Sequence, residues 1–277
     1  RPGDEKDDLD GMVNMAREQE HEGAHLLDVC TAYVGRDEVR DMTVFIEKLN
    51  TQIQLPLVID TTEFYVLEES LQYITGRPLV NSINLEDGVE HMKKKIALIK
   101  RYGAATIALT IDESGMAKNA EKKLEVAKRI YDLALEGGLR PEDLVFDALT
   151  FTLSTGNDDD RRLGLETLNG ISMIKAKLPG VKTILGVSNI SFGFDPKIRK
   201  ILNSVFLHYA VEHGLDSAIV NAQKILPLFK ISEEERELIK ELALLSLKPV
   251  LFIGNIDESL LSTPEKSPEF QELVAVA

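Results

Sequence analysis

The chain has 277 residues, of which 44% are hydrophobic and 28% charged, so it can build the core of one large domain. Its formal net charge of -14 excludes a broad positive surface, which a protein needs to bind nucleic acid or an anionic membrane. No apolar run approaches the roughly 20 residues of a membrane span. The single cysteine, Cys30, excludes an intrachain disulfide and a thiolate-rich zinc site, which predicts a cytoplasmic protein without a metal centre.

Short apolar runs alternate along the chain with segments of helical periodicity. The first predicted helix covers residues 9–24, and the second carries an apolar face made of Val39, Met42, Phe45, Ile46 and Leu49. Further helices are predicted after Asp60, Asn84, Gly115, Asp147 and Asn189. The run Lys93–Lys94–Lys95 is typical of a solvated helix face. Ser232 and Glu235 form a capping box that opens a last helix over about 232–247.

Seven of the apolar runs end in, or just before, an aspartate or an asparagine. These residues are Asp28, Asp60, Asn81, Asp112, Asp147, Asn189 and Asn221. They lie 21 to 42 positions apart, a spacing that builds parallel βα units. The pattern predicts an α/β fold, a TIM-type (β/α)8 barrel whose parallel strands open at their C-terminal ends onto one mouth. A ring of carboxylates and amides at that mouth indicates a site for a polar, nitrogen-rich ligand.

A barrel of this type needs eight strands, and only seven precede the last predicted helix. The candidate for the eighth is the apolar run KPVLFIGNID, residues 248–257. It either closes the barrel in place of a first strand or is an appended element. We therefore predict a single domain over residues 1–277, with 248–277 as a closing strand or an appendage.

Three of the marker residues are candidates for ligand binding, and each has a structural alternative. Asp60 can accept two hydrogen bonds from an amino-pyrimidinone edge, or it can cap the following helix. Asn81 can donate and accept at once, or it can form a turn. Asp147 has apolar residues on both sides, so its carboxylate needs a partner, and a functional role is the better explanation.

The segment around Asn189 supplies two more candidates. Asn189 lies in a polar Ser-Asn-Ile-Ser cluster and either contacts a ligand or leads, as an Asx-turn or cap, into a helix over 197–213. Arg199 either reaches back over the mouth to an anionic ligand tail or lies on a solvated helix face. Asp112 and Glu113 either line the mouth or turn the chain.

The motifs PLVIDTTE, LVNSINLEDG, LVFDALTFTLSTG and LGVSNISFGF occur in this order, and with them the chain resembles the pterin-binding methyltransferases from about residue 9 to 225. That family includes the methyltetrahydrofolate:corrinoid methyltransferases and the folate-binding domain of cobalamin-dependent methionine synthase. The resemblance implies that Asp60, Asn81 and Asp147 hold a pterin ring. It also implies that Asn189 hydrogen-bonds near N5 and that Arg199 matches an arginine of the following helix.

Two parts of the chain depart from the family pattern. The family's first strand, with a Gly-Glu-Arg-x-Asn type of segment, has no counterpart upstream of Asp28. Residues 223–277 depart as well, which puts the contacts to the substrate tail in doubt.

The activity that the resemblance implies is transfer of the N5 methyl group of 5-methyltetrahydrofolate to cob(I)alamin, with Asn189 and Asp147 as the catalytic residues. No D-x-H-x-x-G segment is present, so we expect the cobalamin to be carried by a partner domain or protein and this chain to bind only the folate. We expect neither a nucleic acid nor a membrane as partner. Two alternatives stay open: a dihydropteroate synthase-like pterin enzyme, and a folate-binding module without catalysis.

Overall fold

The computed structural model describes residues 8–153 and 162–236. Seven short strands in this part of the chain pair in parallel, and two shorter ones form an antiparallel hairpin. The parallel strands are β1 Leu27–Val29, β2 Leu57–Asp60, β3 Leu79–Ile83, β4 Ala105–Leu109, β7 Leu144–Asp147, β8 Lys182–Gly186 and β9 Ser217–Ile219. The hairpin consists of β5 Ile111–Asp112 and β6 Gly115–Met116. The order in the sheet is β1-β2-β3-β4-β7-β8-β9, which is the order in the chain.

Within the part of the chain that the structure describes, one helix precedes the first strand, and six helices connect successive parallel strands, as crossovers in βα units require. They are α1 Leu9–His21, α2 Glu38–Asn50, α3 Phe64–Leu71, α4 Gly88–Tyr102, α5 Ala120–Glu136, α6 Leu163–Lys177 and α7 Pro196–Glu212. Local sequence fixes several of their ends. The side chains of Asp37, Asn119 and Asp195 accept hydrogen bonds from the first turns of α2, α5 and α7, and Gly103 ends α4 at a φ of 65°.

The sheet has two apolar faces of very different size. Its outer face joins the helices in one large core, to which Ile59, Val80 and Phe146 contribute. Its inner face holds a small separate cluster, made of Val58, Leu79, Ile107 and Ile184 with Ala105, Leu109 and Val145 beside them. Because strand side chains alternate between faces, this small cluster is the lumen of a curled sheet, as in the interior of a barrel.

The two edges of the curled sheet approach each other. Among the described residues, β1 pairs with β2 alone and β9 with β8 alone. Beyond β9, the side chain of Gln223 donates a hydrogen bond to Glu22, which precedes β1. The predicted parallel α/β barrel architecture is therefore confirmed as a curled seven-stranded sheet covered by helices. The predicted eighth strand, residues 248–257, lies outside the described residues.

Candidate functional site

Three of the predicted site residues lie on the inner face of the sheet, at or near the C-terminal ends of their strands. Asp60 and Asp147 are the last residues of β2 and β7, and Asn81 is the register partner of Asp60 on the neighbouring strand β3. All three side chains are half-buried. The alternative that Asp60 caps the next helix does not hold, because the N-cap of α3 is Glu63. Asn81 lies within β3, so its alternative as a turn residue does not hold either.

The loop that follows β7 donates a backbone hydrogen bond to the Asp147 carboxylate. The backbone N–H of Leu149 donates to its Oδ1 at 2.7 Å, from a residue with the uncommon positive φ of 60°. Burial raises the pKa of Asp147 to about 6, against the opposing effects of backbone hydrogen bonds from Leu149 and Gly186 and of the nearby Lys123 ammonium. At neutral pH the carboxylate is mostly ionised and can accept hydrogen bonds from a ligand.

Asp60 and Asp28 place two further carboxyl groups on the same side of the sheet. Burial, followed by the negative charge of Glu38, raises the pKa of Asp60. Asp28, the register partner of Val58, lies one layer deeper, and burial together with the charge of Asp60 raises its pKa to about 6. The sequence pattern includes Asp28 in the ring of polar strand ends but predicts no role for it. The structure makes it a neighbour of Asp60.

Asn189 lies in a 3-10 turn, Val187–Ser191, directly after β8. Its side chain is exposed and folds back toward Gly186, where a Cβ atom would lie 3.1 Å from its Nδ2. Arg199 on α7 donates from Nε to the hydroxyl of the buried Ser191 at 3.2 Å. The helix N-cap that follows is Asp195, so Asn189 does not cap α7.

Asp112 does not belong to this group of side chains. The apolar pattern predicts a fourth strand that runs to Asp112, which is wrong. Strand β4 ends at Leu109, and Asp112 lies in the β5–β6 hairpin. Its buried carboxylate accepts from Ser114 and pairs with Lys122 at 2.9 Å. These hydrogen bonds lower the pKa of Asp112 to about 2, so its role is to hold the hairpin.

Two lysines near the strand ends are buried. Lys95 was predicted to lie on a solvated helix face, which is wrong, and no role was predicted for Lys123. Lys95 on α4 lies with its Nζ 3.4 Å from the carbonyl oxygens of Thr62 and Ser82, in the segments after Asp60 and Asn81. Lys123 on α5 is fully buried beneath the loop after Asp147. Their signal in the sequence is their position on the apolar faces of α4 and α5, in helical register with buried Met92 and Ala127.

Large apolar side chains are exposed to solvent in the segments that follow three of the strands. Tyr33 and Val34 after β1 are 67% and 97% exposed, Tyr65 after β2 is 62% exposed, and Phe192 after β8 is 70% exposed.

Within residues 8–153 and 162–236, no three His, Cys, Asp or Glu side chains are grouped as metal ligands. The part of the chain that the structure describes also contains no helix long and apolar enough to cross a bilayer.

The fold is similar to that of solved dihydropteroate synthases. The Xanthomonas albilineans enzyme in complex with 7,8-dihydropteroate aligns with a TM-score of 0.61 and 15% identity, over 90% of this chain and 89% of that one. The Yersinia pestis enzyme with a pterine-sulfa conjugate aligns with a TM-score of 0.58 and 15% identity, over 87% and 90% of the two chains. At this identity the likeness concerns the fold alone.

Sequence relatives are much closer. Methionine synthase of Mycobacterium tuberculosis is 46% identical over 240 residues, and that of Mycobacterium leprae is 46% identical over 235. The matches cover 85% and 83% of this chain, which spans about 20% of the length of these relatives. The family model described as "Pterin binding enzyme" matches residues 2–221. The chain belongs to the pterin-binding enzyme family.

Proposed function

We propose that this chain binds 5-methyltetrahydrofolate and transfers its N5 methyl group to a reduced corrinoid carried by a partner domain or protein. The observation that carries the proposal is the set Asp60, Asn81 and Asp147, which converges on the inner face of the sheet in a chain of the pterin-binding family. The methionine synthase relatives support methyl transfer as the reaction.

The three side chains match the hydrogen-bonding edge of a pterin ring. The amino-pyrimidinone part of the ring presents N–H donors beside a carbonyl acceptor. The carboxylates of Asp60 and Asp147 can accept from the donors, and the amide of Asn81 can serve both kinds of group. The small apolar cluster below them, including Ile107 and Ile184, provides a floor for the flat ring.

The methyl transfer needs assistance at N5 because a tertiary amine is a poor leaving group. When the methyl carbon is attacked, the C–N5 bond breaks and its electron pair stays on N5, which must acquire a proton. A hydrogen bond that strengthens as this charge develops lowers the barrier. We assign that role to the exposed amide of Asn189, which lies in the turn after β8, while the proton itself comes through water. The reduced corrinoid, when bound, supplies the nucleophile.

The open mouth suits a reaction with a second macromolecule. The exposed rim side chains of Tyr33, Val34, Tyr65 and Phe192 offer apolar contacts to a partner that brings the corrinoid over the folate. In this proposal the chain contributes positioning and the N5 hydrogen bond, and the partner contributes the methyl acceptor.

The test is isothermal titration with 5-methyltetrahydrofolate, followed by addition of free cob(I)alamin under anaerobic conditions. We expect saturable binding and then a loss of the cob(I)alamin absorbance that depends on the protein. Absence of folate binding by the folded protein would refute the proposal. Binding without methyl transfer, to free cob(I)alamin or to a corrinoid-loaded partner domain, would favour the non-catalytic folate-binding module. Condensation of p-aminobenzoate with a pterin diphosphate would favour the dihydropteroate synthase reaction.

A further inference from the structure

A lysine lies in the core where an apolar side chain is expected. Lys123 belongs to the buried face of α5, together with Ala120, Val126, Ala127 and Ile130. Its side chain has no exposed surface. Burial of an ammonium group is unfavourable unless hydrogen bonds replace its hydration, so the presence of a lysine here calls for specific partners.

Those partners are three backbone carbonyl groups, two of them in the loop directly after β7 and one after β6. The Nζ of Lys123 donates to the carbonyl oxygen of Ala148, to that of Leu149 at 3.2 Å and to that of Ala117 at 2.9 Å. The three donors of the ammonium are thereby all used. Two of the acceptors directly follow Asp147, so the lysine fixes the loop on which the Asp147 carboxylate depends.

Leu149 is the link between the lysine and the carboxylate. Its carbonyl accepts from Lys123 and also from the hydroxyl of Thr167 at 2.8 Å, while its N–H donates to Asp147. The positive φ of Leu149 is unfavourable for a leucine and persists only where the surroundings hold it. The two hydrogen bonds to its carbonyl supply that hold.

The surroundings of Lys123 are closed on the remaining sides. A Cβ atom at Gly170 on α6 would lie 2.7 Å from the Cδ of Lys123, and the ring of Phe151 lies 5.0 Å from its Nζ. Burial lowers the pKa of Lys123 to about 8, and the negative charges of Asp147 and Glu166 oppose this shift. At neutral pH the side chain is therefore mostly an ammonium ion, held by its hydrogen bonds near Asp147.

We propose that Lys123 is a positioning residue of the pterin site, which holds the Leu149 N–H and a positive charge against the Asp147 carboxylate. The inference rests on the proposed function for its effect on folate binding. Its effect on Asp147 is independent of any ligand.

The experiment compares Lys123→Met and Gly170→Ala with a control on the same helix, Lys128→Met, whose side chain is exposed. Lys123→Met removes the charge at similar volume, and Gly170→Ala displaces the lysine stem without removing the charge. Each variant is checked for folding by circular dichroism and melting. Carboxyl-carbon NMR then gives the titration of Asp147 without ligand, and calorimetry gives the affinity for 5-methyltetrahydrofolate.

We expect Lys123→Met to raise the pKa of Asp147 above its wild-type value and to weaken folate binding about 10- to 100-fold, the range for groups that orient a binding residue. Gly170→Ala should change both in the same direction by less, and Lys128→Met should change neither. A folded Lys123→Met protein with an unchanged Asp147 titration overturns the inference, whatever its melting temperature. Failure of both variants to fold also overturns it, because Lys123 is then a core residue only. Wild-type protein that binds no folate refutes the proposed function, and the Asp147 titration still decides on Lys123.

Discussion

Asp147 combines a position at the strand end with a carboxylate that its surroundings only partly stabilise. Backbone N–H groups of Leu149, which donates to Oδ1, and of Gly186 use only part of the accepting capacity of the carboxylate, and the rest is available toward the lumen. We expect Asp147→Ala to weaken folate binding by about 2–4 kcal/mol, the range for loss of one partner of a buried charged hydrogen bond. Asp132→Ala, at an exposed aspartate on α5, is the control. Unchanged affinity in a folded Asp147→Ala protein would remove this residue from the site.

The raised carboxyl pKa values also predict how stability depends on pH. For Asp28 and Asp147 the pKa rises from 3.8 to about 6, chiefly through burial, so the folded state binds these protons more tightly than the unfolded state does. The resulting stabilisation is fully present below about pH 4 and is lost as the pH rises through about 6. The unliganded protein should therefore melt at a higher temperature at about pH 5 than at about pH 7.5.

The variants Asp28→Asn and Asp147→Asn isolate this effect from the general repulsion of the acidic surface. Each should reduce the difference in melting temperature between the two pH values, and Asp132→Asn should leave it unchanged. An undiminished difference in both site variants would show that their carboxyl groups titrate normally.

Asn189 should matter more for the reaction than for ground-state binding, because its proposed hydrogen bond strengthens only as N5 becomes the leaving group. We expect Asn189→Ala to slow single-turnover methyl transfer to cob(I)alamin roughly 100-fold, the effect of losing one hydrogen bond to developing charge, while folate affinity changes little. Asn14→Ala, at an exposed asparagine of α1, is the control. Equal losses in affinity and in rate would reassign Asn189 to recognition.

At the scale of single residues, the sequence predicts where a side chain lies when its position in the chain carries that information. Asp60, Asn81 and Asp147 stand out because polar groups end apolar strands, and they share one face because parallel strands do. No role was predicted for Lys123 or Asp28, for a physical reason. A lysine on an apolar helix face and an aspartate inside a three-residue strand acquire their roles from carbonyls and carboxylates that are distant in the sequence.

Among the elements, the 3-10 turn Val187–Ser191 is held from α7 by the hydrogen bond between Arg199 and Ser191. This contact suggests that Arg199 supports the turn that carries Asn189, beside or in place of binding a ligand tail. We expect Arg199→Met to slow methyl transfer from 5-methyltetrahydrofolate and from a tailless 5-methyltetrahydropterin by similar factors. Ser191→Ala, which keeps the guanidinium but removes its acceptor, should reproduce the loss. A loss confined to Arg199→Met with the tail-bearing substrate would instead assign Arg199 to the tail.

The boundaries of elements were predictable where packing and local chemistry agree. The apolar face predicted for α2 is the one it buries, with Met42, Phe45, Ile46 and Leu49 inside. The capping box of Ser232 and Glu235 forms as predicted, with both hydrogen bonds in place. The end of β4 was predicted wrongly because residues 106–112 form one largely apolar run. A strand pattern does not reveal the ion pair between Asp112 and Lys122, which stabilises the hairpin after β4.

On the scale of the whole molecule, the sheet presents two strand edges. β1 and β9 each have one partner within the described ranges, and the contact between Gln223 and Glu22 brings their flanks together. Unpaired strand edges promote association with other chains. A barrel avoids this by closing, and the predicted candidate for closure is the apolar run at residues 248–257.

Truncation tests whether that run closes the sheet. If it pairs with β1 and β9, its residues Val250, Leu251, Phe252 and Ile253 are buried on both faces of the sheet. Deletion of residues 248–277 should then expose both edges and cause aggregation. Deletion of residues 258–277 alone leaves the run intact and is the matched control. Size-exclusion chromatography, melting and folate titration on both proteins give the answer. If the longer deletion stays monomeric, with unaltered melting and folate affinity, the run is an appendage, and the edges of the sheet are covered in another way.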